Sequence, residues 1–253
     1  MDRIERVINL LSYLASSGKA SGVTEISKRL KIDKSSVSRI LSTLEKLNWV
    51  VQFPDSTYGL SVKPLEFGLS IISGIDINKV SQPHLIELNN ITQETTGLNV
   101  PIGLEYILLD QVECKLPLRH VLQLGTRTPL WFGAPGKAIL AFMDKVEINE
   151  VIDKIKNSSM TFPASEKILK ISKLQGEIDE VRKQGFTIST GELTSACVAV
   201  ASPVFDHRNK VIGSIFVTGP IPRFNKKIAR DFGPLVKQTA KDISMKLGSS
   251  YNL

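Results

Sequence analysis

Cysteine and histidine are scarce in this 253-residue chain: two cysteines, Cys114 and Cys197, and three histidines, at 84, 120 and 207. One disulfide is the most they allow, so no disulfide framework holds the fold, and reduced, partly buried thiols are expected. These five residues are scattered without ligand spacing, so neither a metal site nor a cofactor is expected. No apolar run approaches the roughly 20 residues of a membrane span, which leaves no membrane partner. Gly133 and Gly136 lack the GxxxxGK[ST] spacing of a phosphate loop and read instead as a tight backbone bend. There is no internal repeat and no low-complexity segment. Residues 1–17 read as an amphipathic helix rather than a signal segment, with Ile4, Val7, Ile8, Leu11 and Leu14 on one stripe, which implies a cytoplasmic location.

What is present is an ordinary globular composition, 42% hydrophobic and 23% charged, long enough for substantial cores and for two domains. The net charge of +7 is compatible with a polyanionic partner but is spread along the chain. Its local placement says more. Between Lys19 and Lys46, seven Lys or Arg residues stand against three acids.

That basic stretch lies within residues 21–61, whose pattern is helix, tight turn, helix and hairpin, the order of a winged helix-turn-helix. In the second helix Val37, Ile40, Leu41, Leu44 and Leu47 repeat at helical spacing. Ser35, Ser38, Arg39, Ser42 and Lys46 project from the other side, with Glu45 at the margin. Small hydroxyls and cations suit a surface that enters a groove between phosphates and touches base edges. The preceding helix is expected to start at an N-cap, Thr24, and to bury Ile26 and Leu30. Ile32 plugs the turn, and Asp33 or Ser35 caps the second helix. Two apolar segments around Pro54–Thr57 then form the wing. The expected DNA-contacting set is Thr24, Lys34, Ser35, Ser36, Ser38, Arg39, Ser42, Thr43, Lys46 and Tyr58. A small helical bundle with a solvated polar face is the competing reading; motif order, charge and wing together favour double-stranded DNA.

The expected domains are 1–63 for the winged module, 64–77 for a linking helix (Pro64 in its first turn; Leu65, Leu69 and Ile72 on one side) and 78–253 for a second unit. That unit is expected to open with a helix through Pro83 to Thr95, closed by Gly97. Strands near 99–110 and 119–124 follow, then a corner at Phe132–Gly136 leading into a helix, and helical stretches near 145–156 and 165–184. Three strands (186–190, 197–205, 211–218) and a closing helix over 225–247 complete it. Strands adjacent in sequence and bracketed by helices predict an α+β antiparallel sheet rather than a doubly wound one.

The winged module over 1–67, the stretch LGTRTPLWFGAPGKAILAF (124–142) and the segment from GFTISTGEL to VTGP (185–220) together resemble the IclR-type transcriptional regulators. The motifs that carry the likeness are Gly-x-Arg-x-Pro-Leu, Ala-x-Gly-Lys-Ala, the ASPVFD strand and the Gly-Pro closing the last strand. The resemblance implies a repressor or activator with a GAF-like C-terminal domain that binds a small effector and modulates operator binding, working as a homodimer or homotetramer. Twofold pairing suits a reading helix that covers only a half-site. Carried over by position, the effector residues are His120, Gly133, Ala134, Ser189, Ala199, Phe216 and Thr218. The small-acid binders of the family place an acid, a thiol and hydroxyls along these strands, whereas Ala199 and Phe216 here favour an organic acid with an apolar or aromatic portion. Free N–H groups at the start of the 134–143 helix are expected to receive its carboxylate.

Other residues invite blander readings. Cys197 has no base visible nearby and reads as core rather than nucleophile. Glu192 reads as an exposed loop acid, and Arg223, Lys226, Lys227 and Arg230 as the wet face of the closing helix. The alternatives to a ligand-responsive regulator are an enzyme fused to a DNA-binding module and an architectural DNA protein without a ligand; no catalytic residue is expected.

Overall fold

A computed structural model describes residues 2–67, 76–157 and 161–251. The chain divides into two compact units, Met1–Gly74 and Ile75–Leu253.

In the first unit, α1 (Arg3–Ser17) starts at a capping box in which Glu5 accepts the Asp2 N–H at 2.8 Å, and it ends at Gly18 in the left-handed region. Its buried arc runs through Leu10 and Leu14, flanked by Val7 and Leu11. Ile4 and Ile8, predicted on that stripe, are instead 67% and 56% exposed, because the arc is centred on the Leu10 side of the helix. Strand β1 (Ser21–Gly22) pairs with the wing and keeps the chain extended as far as Gly22. Helix α2 (Val23–Leu30) therefore begins with Gly22 as its N-cap, and Thr24 is an exposed first-turn residue rather than the cap.

Lys31 turns the chain in a left-handed conformation, and Ile32 is buried beneath the turn. Asp33 then caps α3 (Lys34–Lys46), accepting the Ser36 N–H at 2.8 Å and the Ser35 hydroxyl at 2.7 Å. These donors, Ser35 first, hold the Asp33 carboxyl well below the usual carboxylate range. Val37, Leu41 and Leu44 close the core with Ile26 and Val50. Leu47 lies just beyond the helix end and is exposed, outside the predicted stripe. The wing is β2 (Val50–Gln52) against β3 (Thr57–Leu60). Residues 63–67 are helical, whereas the remainder of the expected linking helix, Leu69 and Ile72 included, lies outside the described residues.

The second unit is built on a six-stranded, wholly antiparallel sheet, ordered β6-β5-β4-β11-β10-β9. The strands are β4 (Thr95–Ile102), β5 (Glu105–Val112), β6 (Arg127–Pro129), β9 (Thr187–Thr190), β10 (Cys197–Phe205) and β11 (Val211–Pro220). The chain enters through α4 (Asp76–Thr92), which ends before Gln93 in the left-handed region, so the helix stops short of Thr95 and Gly97 falls inside β4. Residues 119–124 are irregular rather than a strand. Between β6 and β9 lie α5 (Gly133–Leu140), α6 (Lys145–Lys156), a small hairpin of β7 (Thr161–Phe162) and β8 (Ser165–Ile168), and α7 (Ile171–Gln184). The predicted helix over 165–184 thus starts only at Ile171, its first residues being taken by the hairpin. Helix α8 (Lys226–Lys246) closes the chain, with Asn225 as its N-cap.

Strand periodicity assigns the two faces of the sheet. Val198, Val200, Val204, Ile215 and Val217 pack with Leu85 and Leu88 of α4 and Val236, Ala240 and Ile243 of α8. The alternate positions Ala201 and Phe216 pack with Ala134 and Ala138 of α5. Phe216 needs a glycine beside it. A Cβ on Gly97, its cross-strand partner, would sit 2.6 Å from two Phe216 ring carbons and 2.8 Å from the Asp110 carbonyl oxygen. Gly97→Ala is expected to destabilise the second unit by about 1–3 kcal/mol through overpacking, read as a lower urea midpoint. An unchanged midpoint would mean that the Phe216 ring moves aside freely.

Candidate functional sites in the two units

The first candidate site is the outer face of α3. Once Val37, Leu41 and Leu44 are committed to the core, the helical repeat leaves Lys34, Ser35, Ser38, Arg39, Ser42, Thr43 and Lys46 exposed and Ser36 half-buried. Among the described residues Lys34, Arg39 and Lys46 form no ion pair, so their charge is available to a phosphate backbone. The Ser35 hydroxyl is held by Asp33, and the Thr43 hydroxyl donates to the Arg39 carbonyl at 2.9 Å. Tyr58, on β3, is half-buried against the core of the unit and is the least available of the predicted set. Sequence reasoning missed Arg3 and Arg6. They line a groove with Ser36, Arg39 and Thr43 over Val7, Ile40, Leu44 and Leu47. The pair of arginines three residues apart on α1 was the available signal.

The second candidate site is a cavity enclosing about 580 Å³, open solvent at its mouth included, between α5 and the sheet. Register brings its walls together: Ser189, Ala199 and Thr218 form one row across β9, β10 and β11, and Phe216 lies two residues along on the same face. His120, Gly133, Ser189, Ala199, Phe216 and Thr218 all line the cavity, as expected by position. Ala134 does not, being buried under the helix start. Asn99, Tyr106, Leu108, Leu122, Thr194 and Cys197 also line it. They went unrecognised because they come from β4, β5, two loops and the first residue of β10, which only the folded sheet brings round.

The electrostatics of the cavity differ from the expectation of an open anion seat. Gly133, at φ 74, starts α5, but its N–H donates to Glu192 Oε2 at 2.9 Å, and the Ala134 N–H donates to Ser189 Oγ at 2.9 Å. Glu192 is therefore a buried cap rather than an exposed loop acid. Its other oxygen lies 2.5 Å from Lys137 Nζ, which is fully buried and also 2.6 Å from Glu177 Oε2. The chain's own carboxylate fills the helix start, where donors and dipole favour an anion. Among the described residues no Lys or Arg lines the cavity.

His120 spans the mouth, with Nδ1 3.2 Å from Thr218 Oγ1 and Nε2 3.3 Å from Thr194 Oγ1. Burial lowers its pKa and favours the neutral ring. Burial, with Glu94 second, raises the pKa of the Cys197 thiol, the opposite of an activated nucleophile. Cys197 is half-buried in the cavity wall rather than in the core. Arg223 is engaged within the unit, donating to both Glu94 oxygens, while Lys226, Lys227 and Arg230 are exposed. Among the described residues no group of three or more His, Cys, Asp or Glu could hold a metal ion, and no helix is long and apolar enough to cross a membrane.

Comparison with known proteins matches residues 4–54 to the IclR helix-turn-helix domain and residues 69–245 to the family described as bacterial transcriptional regulator IclR C-terminal. The chain is 32% identical over 248 residues to the HTH-type transcriptional repressor AllR of Klebsiella pneumoniae, covering 97% of this chain and 89% of the relative. It is 26% identical over 253 residues to the HTH-type transcriptional regulator KdgR of Escherichia coli, covering 98% and 94%. Among solved structures, an IclR transcriptional regulator from Alicyclobacillus acidocaldarius shares the fold with a TM-score of 0.84 at 22% identity, over 98% of each chain. An IclR homolog from Microbacterium hydrocarbonoxydans complexed with 4-hydroxybenzoate does so with a TM-score of 0.84 at 16% identity, over 97% and 99%.

Proposed function

This chain belongs to the IclR family of DNA-binding transcriptional regulators with a ligand-binding C-terminal domain, and from that premise we propose how its two candidate sites divide the work. The α3 face, with Arg39 at its centre and Lys34 and Lys46 at its two ends on flanking phosphates, reads one half-site of an operator; Arg3 and Arg6 add positive potential beside it. The α5 cavity takes the effector. Its occupant is an organic acid with an apolar or aromatic portion, set against Ala199, Leu108 and Phe216, with a polar group near His120 and Thr194. The protein acts as a cytoplasmic repressor without catalytic activity. It works as a homodimer or homotetramer, because two linked reading helices gain affinity through effective concentration.

The observation that carries this reading is the presence, in one chain, of a cationic helix face without ion pairs among the described residues and a separate, mostly apolar cavity with a few convergent polar groups, the usual character of a small-molecule site. The test is a mobility-shift titration on the chain's own upstream DNA, with and without organic acids such as 4-hydroxybenzoate. An effector that couples to DNA binding shifts the apparent Kd by about 5–150-fold and raises the melting temperature of the free protein by mass action. DNA binding indifferent to every acid that stabilises the protein would remove the coupling.

A further inference from the structure

Asn99 stands apart from the other polar groups of the cavity. It sits on β4 where pairing with β5 shifts register between Leu98 and Asn99, opposite Leu108 on one side and Ser214 on the other. It lines the cavity and is only 2% exposed, yet its Nδ2 has no hydrogen-bond partner among the described residues. The other polar groups of the cavity wall already take part in bonds of their own. The Ser214 hydroxyl donates to the Pro135 carbonyl, the Thr218 hydroxyl to the Val198 carbonyl and the Tyr106 hydroxyl to the Phe132 carbonyl, while Ser189 and Glu192 hold the start of α5.

A buried amide with unmade N–H bonds disfavours the free protein, and such groups are rare enough in folded chains to require a reason. The surroundings of Asn99, with Leu108 and Phe216 among the cavity walls, would accept an aliphatic side chain of similar volume. An asparagine here offers a buried donor that a ligand acceptor can pair.

We propose that Asn99 binds the effector directly, its amide turning so that Nδ2, which is shielded from solvent in this structure, donates to a carbonyl or carboxylate oxygen at the end of the ligand that is most enclosed. The assignment rests on the reading of the cavity as the effector site and adds to it a recognition rule. The ligand carries an acceptor oxygen on its inner end, an apolar body against Phe216 and Ala199, and a second polar group at the mouth near His120. A molecule lacking the inner oxygen leaves Asn99 unpaired and is rejected for that reason.

The test compares full-length wild type, Asn99→Leu and Asn99→Ala by thermal unfolding and calorimetric titration, with 4-hydroxybenzoate, 4-hydroxybenzamide and pyruvate as probes. The expected result is that Asn99→Leu melts at or above the wild-type temperature without ligand, while both variants lose at least tenfold in affinity for whichever probe stabilises the wild type. Binding of the benzoate but not the benzamide assigns the inner oxygen to a carboxylate, and the reverse assigns it to a neutral carbonyl. Undiminished probe affinity in both variants overturns the role of Asn99 and leaves the effector cavity standing. A marked fall in the unliganded melting temperature of Asn99→Leu also overturns it, because the amide would then be satisfied by an internal water and serve the fold. A wild type unmoved by all three probes removes the cavity reading and the Asn99 assignment together.

Discussion

Lys137→Met is expected to destabilise the second unit by about 3–5 kcal/mol, the range for breaking a buried ion pair from one side. Methionine nearly preserves the length and volume of the lysine stem, so the change isolates the charge. In the native protein the ammonium is fully buried between Glu192 and Glu177. Without it, Glu192 keeps, among the described residues, the Gly133 N–H and faces a second carboxylate, whereas Glu177 retains Lys173 at 3.7 Å. Burying an unpaired carboxylate costs far more than an exposed one does. Adding Glu192→Gln removes the orphaned charge while retaining an acceptor for Gly133, and is expected to recover part of the loss. The measurement is urea unfolding followed by the fluorescence of Trp131, which is buried in the second unit, in a Trp49→Phe background. A loss below about 1 kcal/mol, the scale of an exposed ion pair, would show that the triad is hydrated in solution.

Arg39→Ala with Lys46→Ala is expected to reduce operator affinity by about 100-fold, with the folded state left intact because both side chains are exposed. An arginine on a base edge contributes on the order of 1–3 kcal/mol of discrimination. Each cation removed from a phosphate also lessens the steepness of log K against log salt by about 0.9. The two substitutions are therefore separable: Arg39→Ala should relax sequence preference, and Lys46→Ala should weaken all sequences and flatten the salt dependence. Mobility shifts on the upstream DNA over a range of KCl concentrations, beside a scrambled duplex, read both effects. Affinity and salt slope unchanged in the double variant would remove α3 as the reading helix.

The winged module was legible because its signals are local. The Val37, Leu41, Leu44 repeat orients α3, Asp33 begins it, and the turn-rich tip at Pro54–Thr57 makes the hairpin. Errors arose where tertiary partners compete with local preference. Thr24 lost the N-cap to Gly22 because β1 pairs with the wing, and Gly97 became a strand residue because Phe216 needs the space above it. The hairpin of β7 and β8 has no clear sequence signal and takes the start of the helix expected over 165–184, which begins only at Ile171.

Of the cavity between α5 and the sheet, the stretches around Gly133, Ser189, Ala199 and Phe216 were legible by likeness to known regulators. The chemistry of the cavity could not. That Glu192 would fold back onto Gly133 and Lys137, 59 and 55 residues away, depends on how α5 docks against the loop after β9.

The amino-acid order by itself determined the helical stripe, the cationic outer face of α3 and the antiparallel α+β arrangement of the second unit, since each follows from hydrophobic period and turn residues within a few positions. The identity of the cavity's polar groups, the filled start of α5 and the unpaired amide of Asn99 were decided only by the tertiary structure. Hydrogen-bond satisfaction is a property of three-dimensional neighbours: the same asparagine is unremarked in a strand sequence, and only the folded sheet leaves its Nδ2 without a partner among the described residues.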